Sequence, residues 1–150
     1  WQQPLRGDWT VQLNEAVLAA PAPVVLVAHS LGCILTAWWA RHAPPAVVGK
    51  VQAALLVAPG DVEQADLRQH LPGWAPIARQ RLPFAAVVVG SQNDPYCRLA
   101  RAQQLAADWG AQWVDAGAAG HINSASQLGD WPQGHALLQD LVKDSVHGKR

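Results

Sequence analysis

The stretch Val24-Val25-Leu26-Val27-Ala28-His29-Ser30-Leu31-Gly32 constrains the fold more than any other part of the chain. An apolar run of strand length ends at a serine, and Ile34, Leu35, Trp38 and Trp39 then recur at helical spacing. A strand that passes into a helix through one serine forces that residue into a strained backbone conformation. Its neighbours two before and two after must then be small to avoid collision. Ala28 and Gly32 fill those two places. The pattern is a nucleophile elbow with alanine where the first glycine usually stands, and Ser30 is its candidate nucleophile. A serine that merely caps a helix after a buried strand would use the same residues, so the rest of the chain has to discriminate.

Strands and helices alternate along that remainder. Asp8 can cap a helix over 8–20, whose apolar positions Trp9, Leu13, Ala16, Val17 and Ala20 recur at three and four, before Pro21 and Pro23 end it. After the elbow, a helix over 31–42 stops at Pro44-Pro45. Nearly unbroken apolar runs at 51–58 and 85–90 read as parallel strands covered on both faces, and a short fourth strand is expected at 111–114. Helices are expected over 96–109 and 131–144, with a loop over 117–129 and fraying in the last six residues. Residues 61–83 are polar and interrupted by proline, with a short helix near 62–69. This alternation predicts one α/β domain spanning 1–150 with a mostly parallel sheet.

Composition narrows the chemistry. Eleven basic residues balance eleven acidic ones, so no net charge draws the chain to nucleic acid or an anionic membrane, and a small neutral partner is expected. Cys33 and Cys97 are too few for a disulfide scaffold and lack the spaced companions of a zinc site. Free thiols, no apolar stretch approaching the ~20 residues of a membrane span, and no signal-peptide pattern at the start point to the cytoplasm.

A serine hydroxyl needs a base to take its proton and a carboxylate to orient that base. Ligands of parallel sheets lie outside the carboxyl ends of the strands. Ser30, Asp94 and His121 each follow such an end, in the order Ser, Asp, His. Asp61 and Asp115 also follow strands, but Asp94 stands in a compact turn before Pro95. His121 follows Gly117 and Gly120, glycines that permit a tight loop. His29, on the other face of its strand by alternation, reads as hydrogen-bonding support for the turn. His42, His70, His135 and His147 read as helix-end or surface residues, and Cys33 lies a turn into the helix, away from the strained position. The elbow supplies one oxyanion donor, the backbone N–H of Leu31.

Three stretches together resemble a known family: Val27 to Cys33, Ser91-Gln92-Asn93-Asp94-Pro95-Tyr96-Cys97, and Gly120-His121-Ile122-Asn123 with Leu128-Gly129-Asp130-Trp131-Pro132-Gln133-Gly134. They are similar to the small α/β-hydrolase-fold serine hydrolases related to retinoblastoma-binding protein nine and bacterial YdeN. The resemblance implies a three-layer sandwich without a large lid domain, with Ser30 as nucleophile, His121 as general base and Asp94 as its orienting acid. It implies little about substrate. The residues themselves lead to the expectation of a serine hydrolase acting on a small ester or similar acyl compound through an acyl-enzyme, with no metal or cofactor required. Members of the family usually begin with a strand, a glycine-rich turn and a helix ahead of a segment like Trp1-Gln2-Gln3-Pro4. Their absence here leads to the expectation of a longer natural protein whose N-terminal strand and second oxyanion donor are not in these residues. A different class, a noncatalytic interaction protein on the same scaffold, would use the eight tryptophans as a docking surface. Core packing is the competing use of such large aromatics.

Overall fold

The computed structural model describes residues 5–122 and 132–146. Four strands, β1 (Val24–His29), β2 (Val51–Val57), β3 (Ala85–Gly90) and β4 (Gln112–Asp115), lie side by side in chain order, and every pairing is parallel. Among the described residues six helices accompany them: α1 (Arg6–Ala19), α2 (Leu31–His42), α3 (Pro45–Val48), α4 (Ala65–His70), α5 (Leu99–Trp109) and α6 (Pro132–Val146).

Strand alternation divides the core in two. Ala54, Leu56, Ala86 and Val88 face a cluster with Val17 of α1, Cys33, Ile34 and Trp39 of α2, and Leu105 and Trp109 of α5. Their neighbours Ala53, Leu55, Val57, Ala85, Val87 and Val89 face Leu141 of α6, flanked by Leu137 and Leu138. Both faces of β2 and β3 are therefore covered, which is why these strands are apolar without alternation. The result is the expected three-layer α/β arrangement, with no lid domain inserted among the described residues. β1 stands at one edge of this sheet, and its Val27 is 62% exposed.

The element boundaries follow from local chemistry. Ala20 and Ala43, the C-caps of α1 and α2, are both extended because each precedes a proline, which disfavours the helical region. Pro44-Pro45 does more than end α2: Pro45 opens α3 at the first helical position, where a missing N–H costs nothing. The sequence reading treated this pair only as a stop. α1 begins at Arg6 rather than behind Asp8, with Leu5 at the N-cap and Asp8 in the first turn, where its carboxylate faces the positive end of the helix dipole. α5 begins at Leu99 rather than Tyr96, because 95–97 continue the turn begun by Asp94. α6 continues to Val146, two residues beyond the expected end, while residues 123–129 of the loop expected over 117–129, and residues 147–150, lie outside the described residues.

Residues 61–83, polar in composition, nevertheless close one end of the core with Val62, Trp74, Ile77, Ala78 and Leu82, all buried. An ion network anchors the segment to α5. Arg79 bridges Glu63 and Asp108, Arg101 also binds Glu63, and the Ile77 N–H donates to Glu63 Oε2 at 2.9 Å. Burial opposes ionisation of Glu63, but the Ile77 N–H and the two guanidinium groups outweigh it and hold the carboxyl below its usual range. Among the described tryptophans, Trp39, Trp74 and Trp109 are fully buried, Trp9 packs edge-on against Trp74 at 5.5 Å, and the Arg6 guanidinium covers Trp38 at 3.5 Å.

Candidate active site

Ser30 joins β1 to α2 with φ 58° and ψ −116°, a conformation that a residue bearing a Cβ adopts only where its surroundings enforce it. The enforcement is visible on both sides. Ser30 N–H donates to Val57 O at 3.0 Å, and Ser30 O accepts from Cys33 N–H at 3.1 Å. The two small neighbours stand against each other: a Cβ at Gly32 would already lie 3.4 Å from the Ala28 Cβ, in van der Waals contact. Leu31 is the first residue of α2, where backbone N–H groups have no partner within the helix.

The loop after β4 brings His121 to this turn. Gly117 and Gly120 take φ of 75° and 61°, left-handed values that glycine adopts without penalty. The loop is tied to the strand end beside it: Ala119 N–H donates to Ser91 Oγ at 2.9 Å and Gly120 N–H to Asn93 Oδ1 at 2.7 Å. Beyond it Ile122, at φ 52°, is buried in the second core cluster. His121 Nε2 lies 2.8 Å from Ser30 Oγ, and Nδ1 lies 2.8 and 3.0 Å from the two carboxylate oxygens of Asp94. An ionised carboxylate only accepts, so Nδ1 carries the proton and donates it to Asp94, leaving Nε2 to accept from the serine hydroxyl. Asp94 Oδ1 also accepts the Tyr96 N–H at 2.9 Å, closing the turn anticipated from Asp94-Pro95. The Asp94 side chain is 2% exposed and that of His121 9%, so this hydrogen-bonded chain lies mostly out of water.

The two rival carboxylates are engaged elsewhere. Asp61 accepts the Glu63 N–H and faces Arg101, and Asp115 accepts from Gln92 and from the Gly117 N–H. His29 departs from its expected role, since its Nε2 reaches the His121 carbonyl at 2.7 Å rather than supporting the serine turn. Ser91, Asn93 and Gly60 were not singled out by the sequence. The polar run Ser91-Gln92-Asn93-Asp94 at a strand end was the available signal for the first two. Gly60 follows β2, and a Cβ there would stand 3.4 Å from Ser30 Oγ. Among the described residues, no group of three or more histidine, cysteine or acidic side chains could hold a metal ion.

Cys33 is not a rival nucleophile. It is fully buried, its thiol donates to Val57 O at 3.4 Å, and burial raises its pKa far above that of a free thiol. Cys97 is pushed up to about 12, by burial first and then by the nearby Asp61 and Asp94 charges. The thiolate is the reactive form, and raising the pKa removes it at neutral pH. Iodoacetamide at pH 8 is therefore expected to leave both cysteines unmodified in the folded protein and to add two groups after denaturation, as read by intact mass.

A parallel sheet between helical layers, with a serine at a strained strand-to-helix turn, defines an α/β-hydrolase-fold protein. The family model described as serine hydrolase matches residues 1–140, and the chain belongs to that family. Solved structures carry the same fold. A YdeN-like protein of Pectobacterium atrosepticum superposes with a TM-score of 0.81 at 24% identity, over 97% of this chain and 73% of its own. The ydeN gene product of B. subtilis gives 0.74 at 18% identity, over 94% of this chain and 77% of its own. MGS-MChE2, an α/β hydrolase enzyme from the metagenome of sediments from the lagoon of Mar Chica, gives 0.69 at 15% identity, over 95% and 72%. No curated protein matches the chain. Of the stretches that carried the family resemblance, residues 123 and 128–131 lie outside the described residues.

Proposed function

We propose that this serine hydrolase cleaves small esters or related acyl compounds through an acyl-enzyme on Ser30. The observation that carries the reading is the hydrogen-bonded chain from Ser30 Oγ through His121 to Asp94, at 2.8 Å on each side of the imidazole. Ser30 Oγ attacks the acyl carbon while His121 Nε2 takes its proton, and the carbonyl oxygen becomes an oxyanion facing the Leu31 N–H. Collapse breaks the bond to the leaving group, which departs with the proton from Nε2. Water then attacks the acyl-enzyme, giving its proton to Nε2, and the carboxylic acid leaves as Ser30 recovers a proton. Asp94 holds the imidazole in the required tautomer and orientation. Every step uses side chains and backbone of the protein, without a metal or organic cofactor.

The partner in this reading is a small acyl compound rather than nucleic acid or a membrane, in keeping with the balanced charge. No described helix is long and apolar enough to cross a membrane. We place the protein in the cytoplasm, a setting that suits its two free cysteines.

The test is covalent. A fluorophosphonate probe is expected to label Ser30 stoichiometrically, located by peptide mass, and the unlabelled protein to hydrolyse a short-chain nitrophenyl ester. A folded protein that reacts at no serine, or at a different one, would remove the assignment.

The space beside the nucleophile yields a second expectation. Gly60 does not need glycine for its backbone, so alanine there adds only a methyl in ordinary contact with Ser30 Oγ. Valine carries bulk further toward the space an acyl group must enter. Gly60→Val is expected to slow labelling of Ser30 by ~10-fold or more through misplacement of the reacting atoms, with Gly60→Ala much closer to the parent. Equal rates for all three proteins would show that residue 60 does not border the acyl group.

A further inference from the structure

The His121 loop is held at several points, and one of them comes from the residue next to the nucleophile. Ser91 and Asn93 hold the N–H groups of Ala119 and Gly120, on the upstream side. Asp94 holds Nδ1. The carbonyl of His121 itself accepts from His29 Nε2 at 2.7 Å, and the two imidazole rings lie with centroids 4.7 Å apart. His29 is the last residue of β1 and is covalently joined to Ser30. The peptide bond between His29 and Ser30, the bond from His29 to the His121 carbonyl, and the bond from His121 Nε2 to Ser30 Oγ together close a ring through both reacting groups.

We propose that His29 is a positioning residue, fixing the height of the His121 imidazole over Ser30 by binding the His121 carbonyl. The inference rests on the reading of Ser30 and His121 as nucleophile and base. A carbonyl only accepts, so His29 must present an N–H at Nε2, which both its Nε2–H neutral tautomer and its imidazolium do. The contact therefore does not depend on the charge of His29. That nitrogen is committed to the carbonyl, and the serine hydroxyl is already bonded to His121, so His29 supports the base without replacing it. His29 is an exposed residue that belongs to neither core cluster. Losing it removes little stability, whereas a base displaced by about 1 Å can lose ~10²-fold in rate.

The side chains available at position 29 separate positioning from packing. The amide nitrogen of glutamine reaches about as far as an imidazole Nε2 and can donate to the same carbonyl; asparagine is too short, and leucine has no donor. For nitrophenyl ester hydrolysis that Ser30→Ala abolishes, His29→Leu and His29→Asn are expected to lower kcat by ~10- to 100-fold with KM unchanged. His29→Gln is expected to recover most of the loss. Thermal unfolding of all three variants should stay near the parent. A His29→Leu protein with the parent kcat would overturn the positioning role, and so would a His29→Gln protein as slow as His29→Leu. Loss confined to Tm, with kcat of the folded variants intact, would make His29 a structural residue only. Hydrolysis that survives Ser30→Ala would instead strike the reading of Ser30 beneath the proposal, an outcome the His29 series by itself does not produce.

Discussion

Ser30→Ala is expected to remove ester hydrolysis almost completely, with kcat falling by up to ~10⁶-fold, as when the nucleophile of a hydrogen-bonded serine site is deleted. The reason is specific to the geometry. Ser30 Oγ is the atom 2.8 Å from His121 Nε2, whereas Cys33 is buried beneath the turn and the Ser91 hydroxyl is occupied between Asn93 and Ala119. His121→Ala should cost nearly as much, and the double variant hardly more than either alone, because residues that act as a unit do not contribute additively. Steady-state kinetics on the two single variants and the double variant would check this. A double variant that multiplied the two losses would mean that serine and histidine act independently. Far-UV circular dichroism should be unchanged throughout, since alanine at 30 relieves no packing and adds no bulk.

The largest expected effect on stability is at Trp109. Its ring is 1% exposed within the core between α5 and the sheet, and its Nε1–H donates to the Ala78 carbonyl at 2.7 Å. Trp109→Ala would open a cavity and leave that carbonyl without its donor. The first effect alone costs about 3–5 kcal/mol in typical cores, against a total stability of about 5–15 kcal/mol. A fall in melting temperature of roughly 10 °C is expected, at about 2–4 °C per kcal/mol for a chain of this size. The hydrogen bond also ties residues 61–83 to α5, so proteolysis within that segment should accelerate. A loss below about 1 kcal/mol in urea unfolding, the range of a surface change, would show that the region collapses around the gap.

Some of the site was legible because local rules alone produce it. The strand, the serine and the helix over 24–42 are one continuous stretch, and the steric need for Ala28 and Gly32 acts between residues four apart. β2 and β3 were readable from apolar runs, since a strand covered on both faces admits few polar residues. Asp94 could be preferred to Asp61 and Asp115 on turn chemistry, because the Asp94 carboxylate binds the N–H of Tyr96 two residues on.

Other features carried no local signal. Trp74, Ile77 and Leu82 are isolated large residues among prolines and polar side chains, without a period of two or 3.6, and only the surrounding sheet and helices make them core. The segment's ionic anchors, Glu63 to Arg79 and Arg101, join positions 16 and 38 residues apart. Alternation put His29 on the far face of its strand from its neighbours, yet what it binds depends on a loop 92 residues away.

The sequence by itself determined the α/β class, the elbow at Ser30 and the order of serine, aspartate and histidine along the chain. These depend on hydrophobic period, on sterics within one turn and on which residues end the strands. Only the tertiary structure decided that the three side chains meet, with Asp94 rather than Asp61 or Asp115 on His121, and that His29 holds the loop beside them. Those outcomes turn on hydrogen bonds of 2.7 to 3.0 Å between segments that approach one another only when four strands align in parallel and their ends are gathered at one edge.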